Sequence, residues 1–114
     1  MMFPGLASAV AQRLAGELPA GVAVSDEPEG YLRVAAGEER WELFPLDEPE
    51  VEQELDPQVY DPPYPAFAVL EALDFVQEFV REEVGEQLPE PWAELDGEEI
   101  RLGFGDVELD PIRL

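Results

Sequence analysis

The sequence predicts an α+β fold, a single small domain in which helices cover one face of an antiparallel sheet. Two segments carry apolar residues at helical spacing, one near the start of the chain and one over about 65–84. Between and after them, short segments alternate apolar and polar residues and are separated by Gly-bearing turns, as in antiparallel strands. Within one domain over residues 1–114 we expect a helix, a three-strand meander, a long Pro-rich acidic loop, a long helix and two or three C-terminal strands.

The first helix is predicted over residues 4–18. Pro4 suits the first turn of a helix, and the apolar residues around it recur at spacings of three and four. They are Phe3, Leu6, Ala7, Val10, Ala11, Leu14, Ala15 and Leu18. Pro19 and Gly21 end the pattern, so we expect one face of this helix to pack on the core.

A meander of three strands is predicted next. Its alternating apolar residues are Val22, Val24, Leu32, Val34, Ala36, Trp41 and Leu43. The segments 26–30 (DEPEG) and 37–38 separate the three runs and predict turns. A period of two indicates an antiparallel sheet with one covered face.

Residues 45–64 are predicted to form an extended connector. The stretch LDEPEVEQELDPQVYDPPYP, residues 46–65, contains seven acidic residues, five prolines and no basic residue. Proline removes a backbone donor and restricts the residue before it, so we expect at most one helical turn, near 50–55. A connection this long inside a compact domain is unusual and is typical of a functional or a mobile segment.

The second helix is predicted from Pro65 to about Val84, with its end at Gly85 or Pro89. Its first two turns are apolar nearly all round, and polar residues at 71, 74, 78, 81 and 82 form an outer stripe. In the tail, Asp96-Gly97 and then the pair at 105–106 predict hairpin turns between alternating strands.

The composition excludes most common catalytic chemistry. The chain has no His, Cys or Lys, so it lacks the usual general base, the thiol nucleophile and the Schiff-base amine. It also lacks His/Cys zinc ligands, and six scattered Arg cannot supply the basic face that nucleic-acid binding needs. We therefore predict that the protein is not an enzyme and uses no cofactor.

The net charge of −22, from 28 acidic residues against six Arg, favours basic proteins and cations as partners and repels nucleic acid and anionic membranes. The charge is concentrated in residues 26–56, which hold twelve acids and two Arg. Two connector tyrosines add aromatic anchors of the kind found in protein interfaces. The predicted partner-binding residues are Asp47, Glu48, Glu50, Glu52, Glu54, Asp56, Tyr60 and Tyr64.

Three interpretations of the connector stay open: a segment docked on the domain, a surface for a basic partner, and a metal loop. We predict a non-enzymatic protein-interaction module that binds a basic protein partner or assembly. The alternative is a carboxylate-based Ca²⁺ or Mg²⁺ protein or a metal-dependent enzyme, with ligands among the acids of 47–61. The spacing of these acids departs from the EF-hand loop, because no Gly occurs between 38 and 84.

The sequence also predicts the compartment and bears on the oligomeric state. The first residues lack the basic region of a signal peptide, and no apolar run reaches the roughly 20 residues of a membrane span, so we expect a cytoplasmic protein. Abundant Glu and Pro, with no Asn or Cys, are compatible with thermostability. A homodimer is compatible with the sequence, but like charge opposes it at low salt and no apolar patch can be located from the sequence.

Overall fold

A computed structural model describes residues 5–37, 39–46 and 66–113. Within these ranges it contains two α-helices, one 3-10 turn at Pro28–Gly30, and strands that pair only in antiparallel fashion. The elements in chain order are α1 (Leu6–Leu14), β1 (Val22–Glu27), β2 (Tyr31–Ala36), β3 (Arg40–Pro45), α2 (Ala66–Glu83), β4 (Pro91–Asp96), β5 (Glu99–Phe104), β6 (Val107–Glu108) and β7 (Ile112–Arg113). The predicted α+β class and the predicted order of helices and strands are confirmed.

Helix α1 buries the apolar face that its spacing predicted. The buried residues are Leu6, Ala7, Val10, Ala11 and Leu14. The helix ends at Leu14, four residues before the predicted end at 18. Gly16 has a φ of 82°, in the left-handed region that terminates helices, so the chain turns before Leu18 despite the continued apolar spacing.

Strand β2 is the centre of the meander. It pairs with β1 so that Val34 lies opposite Val24, and with β3 so that Leu32 lies opposite Phe44. Opposite residues of an antiparallel pair project to the same face, and this face is the one that covers the core. Strand β1 extends to Glu27, so the turn predicted over 26–30 is confined to Pro28–Gly30.

Helix α2 agrees with the prediction to within about a residue at each end. Its buried residues are Ala66, Ala68, Val69, Ala72, Leu73, Val76, Phe79 and Val80. The helix ends at Glu83, and the N–H groups of both Val84 and Gly85 donate to the Val80 carbonyl, at 2.9 and 3.1 Å. The Phe75 ring packs against Phe44 of β3 with ring centroids 5.2 Å apart, which joins this helix to the meander.

The strands form two sheets, where the sequence pattern led us to expect one. The meander is the first sheet; in the second, β5 is central, with β4 on one side and both β6 and β7 on the other. Alternation shows which residues share a face but not which strands pair, so it could not divide the strands between sheets. The first C-terminal turn consists of Gly97 and Glu98, one residue beyond the predicted pair, because Asp96 pairs with Glu99. The turn predicted at 105–106 is confirmed.

One hydrophobic cluster connects the two helices with both sheets. It includes Val10 and Leu14 of α1, Leu32 of β2, Leu73 of α2 and Leu102 of β5, each fully buried or nearly so. Within the described ranges, no polar or charged residue is buried. None of the helices in these ranges is long and apolar enough to cross a membrane.

Arg13, in the last turn of α1, ties that helix to the C-terminal segment. Its guanidinium donates to the carbonyl of Asp110 at 3.3 Å through Nε and to the carbonyl of Pro111 at 2.9 Å through Nη2. Charge-assisted bonds to backbone carbonyls are stronger than neutral ones. They hold the segment just before β7 against the end of α1.

Gly103 marks a close approach inside the second sheet. It lies in β5 opposite Trp92 of β4 and Glu108 of β6. A Cβ placed on Gly103 would overlap the carbonyl oxygen of Val107 and lie 2.9 Å from Cζ2 of Trp92. The Trp92 ring is held there because its Nε1 donates to the Gly105 carbonyl at 3.0 Å.

Candidate functional site

The partner-binding residues predicted from sequence all fall in 47–65, outside the described residues. They are Asp47, Glu48, Glu50, Glu52, Glu54, Asp56, Tyr60 and Tyr64. Their role stays a prediction from sequence. The described residues offer two further surfaces, one acidic and one with a net charge of zero.

The acidic surface is a groove between α2 and the start of β4, which we call the helix groove. It has a volume of about 390 Å³ and is lined by Phe67, Leu70, Glu71, Asp74, Gln77, Glu90 and Pro91. The five helix residues recur at spacings of three and four, so they share one side of α2. The remaining two come from the segment that follows the helix and enters β4.

The far wall of the helix groove is fixed by hydrogen bonds. Nε2 of Gln77 donates to the Leu88 carbonyl at 3.1 Å and to the Pro89 carbonyl at 3.4 Å. The carbonyl of Glu90 accepts the N–H of Gly105 at 2.8 Å. The segment 88–91 is therefore anchored to the helix at one end and to the second sheet at the other.

The helix groove combines an apolar lining with uncompensated negative charge. Glu71, Asp74 and Glu90 contribute three exposed carboxylates, and no lining residue is basic. Other acids have an Arg within 4 Å, including Glu27, Glu83 and Glu108. Among the described residues, none of the three groove carboxylates forms such a pair. The sequence pattern assigned Glu71 and Asp74 to a solvated stripe, and the wall contributed by Glu90 arises from packing that local patterns do not reveal.

The second surface is the solvent-facing side of the meander, which we call the outer sheet face. The strand register places nine side chains on it: Ala23, Ser25, Glu27, Tyr31, Arg33, Ala35, Trp41, Leu43 and Pro45. Trp41 is 50% exposed and Leu43 is 42% exposed, a large exposure for apolar side chains. Together with Pro28, five of these residues line a shallow groove of about 400 Å³.

The charges of the outer sheet face are mutually paired. Nε of Arg33 lies 3.8 Å from Oε1 of Glu27, and the Arg33 guanidinium carbon lies 5.4 Å from the centre of the Trp41 ring. A guanidinium over an indole face is a favourable cation–π contact. The face is therefore apolar with a net charge of zero, in a chain whose net charge is −22.

The outer side of the second sheet has a different character. Arg101 of β5 binds Glu108 through two bonds of 3.0 Å and Glu94 through one of 2.9 Å. The hydrogen bonds from Arg101 lower the pKa of the Glu108 carboxyl below its usual range. All three side chains are solvent-exposed, so we regard this network as a solvated charged face.

The described residues contain no group of three or more Asp or Glu side chains placed to hold a metal ion. The acids of 47–61 considered as metal ligands lie outside those residues. Comparison with known proteins gives no match: no protein-family model, no curated protein and no solved structure matches this chain.

Proposed function

We propose that this chain is a non-enzymatic, cytoplasmic protein-interaction module and that its helix groove binds a basic segment of a partner protein. The observation that carries the proposal is the lining of the groove, where three carboxylates with no Arg partner among the described residues share the lining with Phe67, Leu70 and Pro91. Apolar anchors within a charged rim are the usual composition of a protein-binding site.

The dimensions of the groove indicate the size of the bound segment. The lining positions on α2 extend from Phe67 to Gln77, which at 1.5 Å per residue is about 15 Å of helix axis. About five residues of an extended chain, at roughly 3.3 Å each, cover the same length. A segment with two or three Arg or Lys and one apolar side chain therefore matches the groove in length, charge and polarity.

The net charge supports the proposal at longer range. A charge of −22 accelerates the encounter with a basic protein, and the field fades over a Debye length of about 8 Å in physiological salt. Residues 47–56 of the connector are also negatively charged, so the predicted role of the connector in binding a basic partner is compatible with this proposal. The groove carboxylates then supply the contacts that orient the bound segment.

Fluorescence anisotropy with synthetic decapeptides tests the proposal. The probes alternate Arg with Leu or Tyr, and matched peptides carry Glu in place of Arg. We expect the basic peptides to bind and the Glu peptides not to bind, and we expect the affinity of the basic peptides to fall as the NaCl concentration is raised. The triple variant Glu71→Gln, Asp74→Asn and Glu90→Gln should weaken binding at least about tenfold, because each lost charged contact contributes on the order of 1 kcal/mol.

The matched control removes the same charge outside the helix groove, with Glu82→Gln, Glu86→Gln and Glu98→Gln, all exposed positions. Equal weakening by both triple variants would mean that binding follows net charge, which contradicts a site in the groove. Loss of binding only when the acids of 47–56 are neutralised would assign the site to the connector predicted from sequence. Stabilisation by Ca²⁺ or Mg²⁺ far above that of NaCl at equal ionic strength would instead favour the metal-binding alternative.

A further inference from the structure

The outer sheet face differs from every other surface described above in having apolar side chains exposed around balanced charge. The outer side of the second sheet presents four acids and two Arg by register, and the helix groove presents three acids and no base. On the outer sheet face, Glu27 and Arg33 cancel. From this we infer that the face binds a second copy of the same chain, forming a homodimer.

The charge distribution selects a second copy over a basic partner. A basic protein gains no electrostatic attraction from a neutral face, while acidic surfaces such as the helix groove attract it. A second copy carries its own −22, so it can approach closely only where acids are absent or compensated. Among the faces described above, the outer sheet face is the one that meets this condition.

The arrangement of the two charges is compatible with two-fold symmetry. Arg33 lies on the central strand of the meander and Glu27 on an outer strand. In an isologous interface the same patch meets itself, so a contact from Arg33 to the Glu27 of the second copy is automatically made twice. Trp41 and Leu43 supply the apolar area, and aromatic residues are enriched at such contacts.

The area of the face indicates a weak dimer. Three strands of six residues occupy about 14 by 20 Å, from spacings of roughly 4.8 Å between strands and 3.3 Å along them. Two such faces have a combined planar area of about 560 Å², so the contact between them falls below the roughly 1,200–2,000 Å² of stable interfaces. We therefore expect a dissociation constant on the order of tens of micromolar.

The salt dependence of the dimer has the opposite sign to that of peptide binding. Two copies repel each other through their net charge, and the Debye length shortens from about 14 Å to about 4 Å between 50 and 500 mM salt. Raising NaCl should therefore strengthen the dimer while it weakens the binding of a basic peptide. The two proposals concern different surfaces, and either can fail without the other.

Sedimentation velocity of the full chain tests the inference. We expect the dimer dissociation constant to fall at least about tenfold between 50 and 500 mM NaCl. Leu43→Asp should leave the chain monomeric. Val107→Asp is the matched control, because it adds the same charge at a side chain of similar exposure, 49% against 42%, on the second sheet. It should dimerise within about twofold of the unmodified chain.

Trp41→Ala serves as a second variant that changes no charge, and it should weaken the dimer at least about tenfold, since buried aromatic anchors dominate interface energies. Circular dichroism of each variant verifies that it is folded. A chain that remains monomeric at several hundred micromolar in 500 mM NaCl overturns the inference. Equal dimerisation of the Leu43 and Val107 variants overturns it as well, because the contact would then lie elsewhere.

Discussion

We expect the replacement of Gly103 with alanine to destabilise the protein, although the same change at an open strand position would stabilise it. Gly in a strand interior costs about 0.5–1 kcal/mol relative to Ala, because it loses more backbone freedom on folding. At Gly103 the added Cβ meets the Val107 carbonyl oxygen, and it lies 2.9 Å from Cζ2 of Trp92 and 3.1 Å from Cα of Glu108. Two of these three neighbours are backbone atoms of β6, so the overlap can be removed only if β6 moves.

The expected size of the effect follows from the cost of overpacking. Inserting one methyl group into a closely packed region costs about 1–3 kcal/mol, which exceeds the gain from replacing a glycine. With an unfolding entropy of about 2.1 cal/mol/K per residue over 114 residues, each kcal/mol lowers Tm by about 4 °C. Subtracting the gain of about 0.5 kcal/mol leaves a net cost of about 0.5–2.5 kcal/mol, so we expect Gly103→Ala to lower Tm by roughly 2–10 °C.

Thermal unfolding followed by circular dichroism measures this shift. Ala23→Gly, at an exposed position of β1, measures how much Tm changes when only the backbone freedom of an alanine and a glycine differs. Comparing this value with the Gly103→Ala shift separates the steric cost of the added methyl group from the backbone contribution. Near-ultraviolet circular dichroism should also report a change around Trp92, whose ring faces the added methyl group. A Tm for Gly103→Ala at or above that of the unmodified chain would refute the close approach of β6 to β5.

Two smaller effects follow from the arginine contacts. The hydrogen bonds from Arg101 lower the pKa of Glu108. Any stability that this pair contributes is therefore present at pH values above the ordinary pKa range of a glutamate, and it is lost as the pH falls through the lowered pKa. An NMR titration should give Glu108 a midpoint below that range, and Arg101→Gln should raise it; equal midpoints in both proteins would contradict the contact. Arg13→Ala should cost about 1 kcal/mol and lower Tm by about 4 °C through the lost bonds to two C-terminal carbonyls. Arg81→Ala removes an exposed ion pair within one helix and should change Tm by less than about 2 °C. Similar Tm shifts for the Arg13 and Arg81 variants would contradict a stabilising contact between Arg13 and the C-terminal segment.

The sequence predicted the parts of the fold that depend on local periodicity. Helix α2 was located closely, because its apolar residues repeat over many turns and Gly85 follows them. The predicted end of α1 at residue 18 was wrong, because the apolar spacing continues to Leu18 while Gly16 already adopts a left-handed conformation. Periodicity records which side chains could be buried, but the backbone conformation of one glycine decides where the helix stops.

The outer sheet face could not be found in the sequence because alternation does not say which face is inward. In β3 both sets of alternating positions contain apolar residues, Trp41 and Leu43 on one side and Phe44 on the other. The register decides between them, because Phe44 lies opposite the buried Leu32. Such pairing depends on a residue of another strand, which the alternation within β3 does not specify. The wall of the helix groove likewise depends on packing between separate elements.

The contact between Arg13 and the segment at 110–111 has a consequence for the order of folding. Arg13 is separated along the chain from Asp110 by 97 positions and from Pro111 by 98. The hairpins of both sheets, in contrast, close over a few residues. Loop-closure entropy rises with the length of chain enclosed, so the hairpins and α2 can form before this contact does. The attachment of α1 to the segment at 110–111 is then a late event. We expect the amides of these two parts of the chain to exchange together in hydrogen exchange, and before those at the centre of α2.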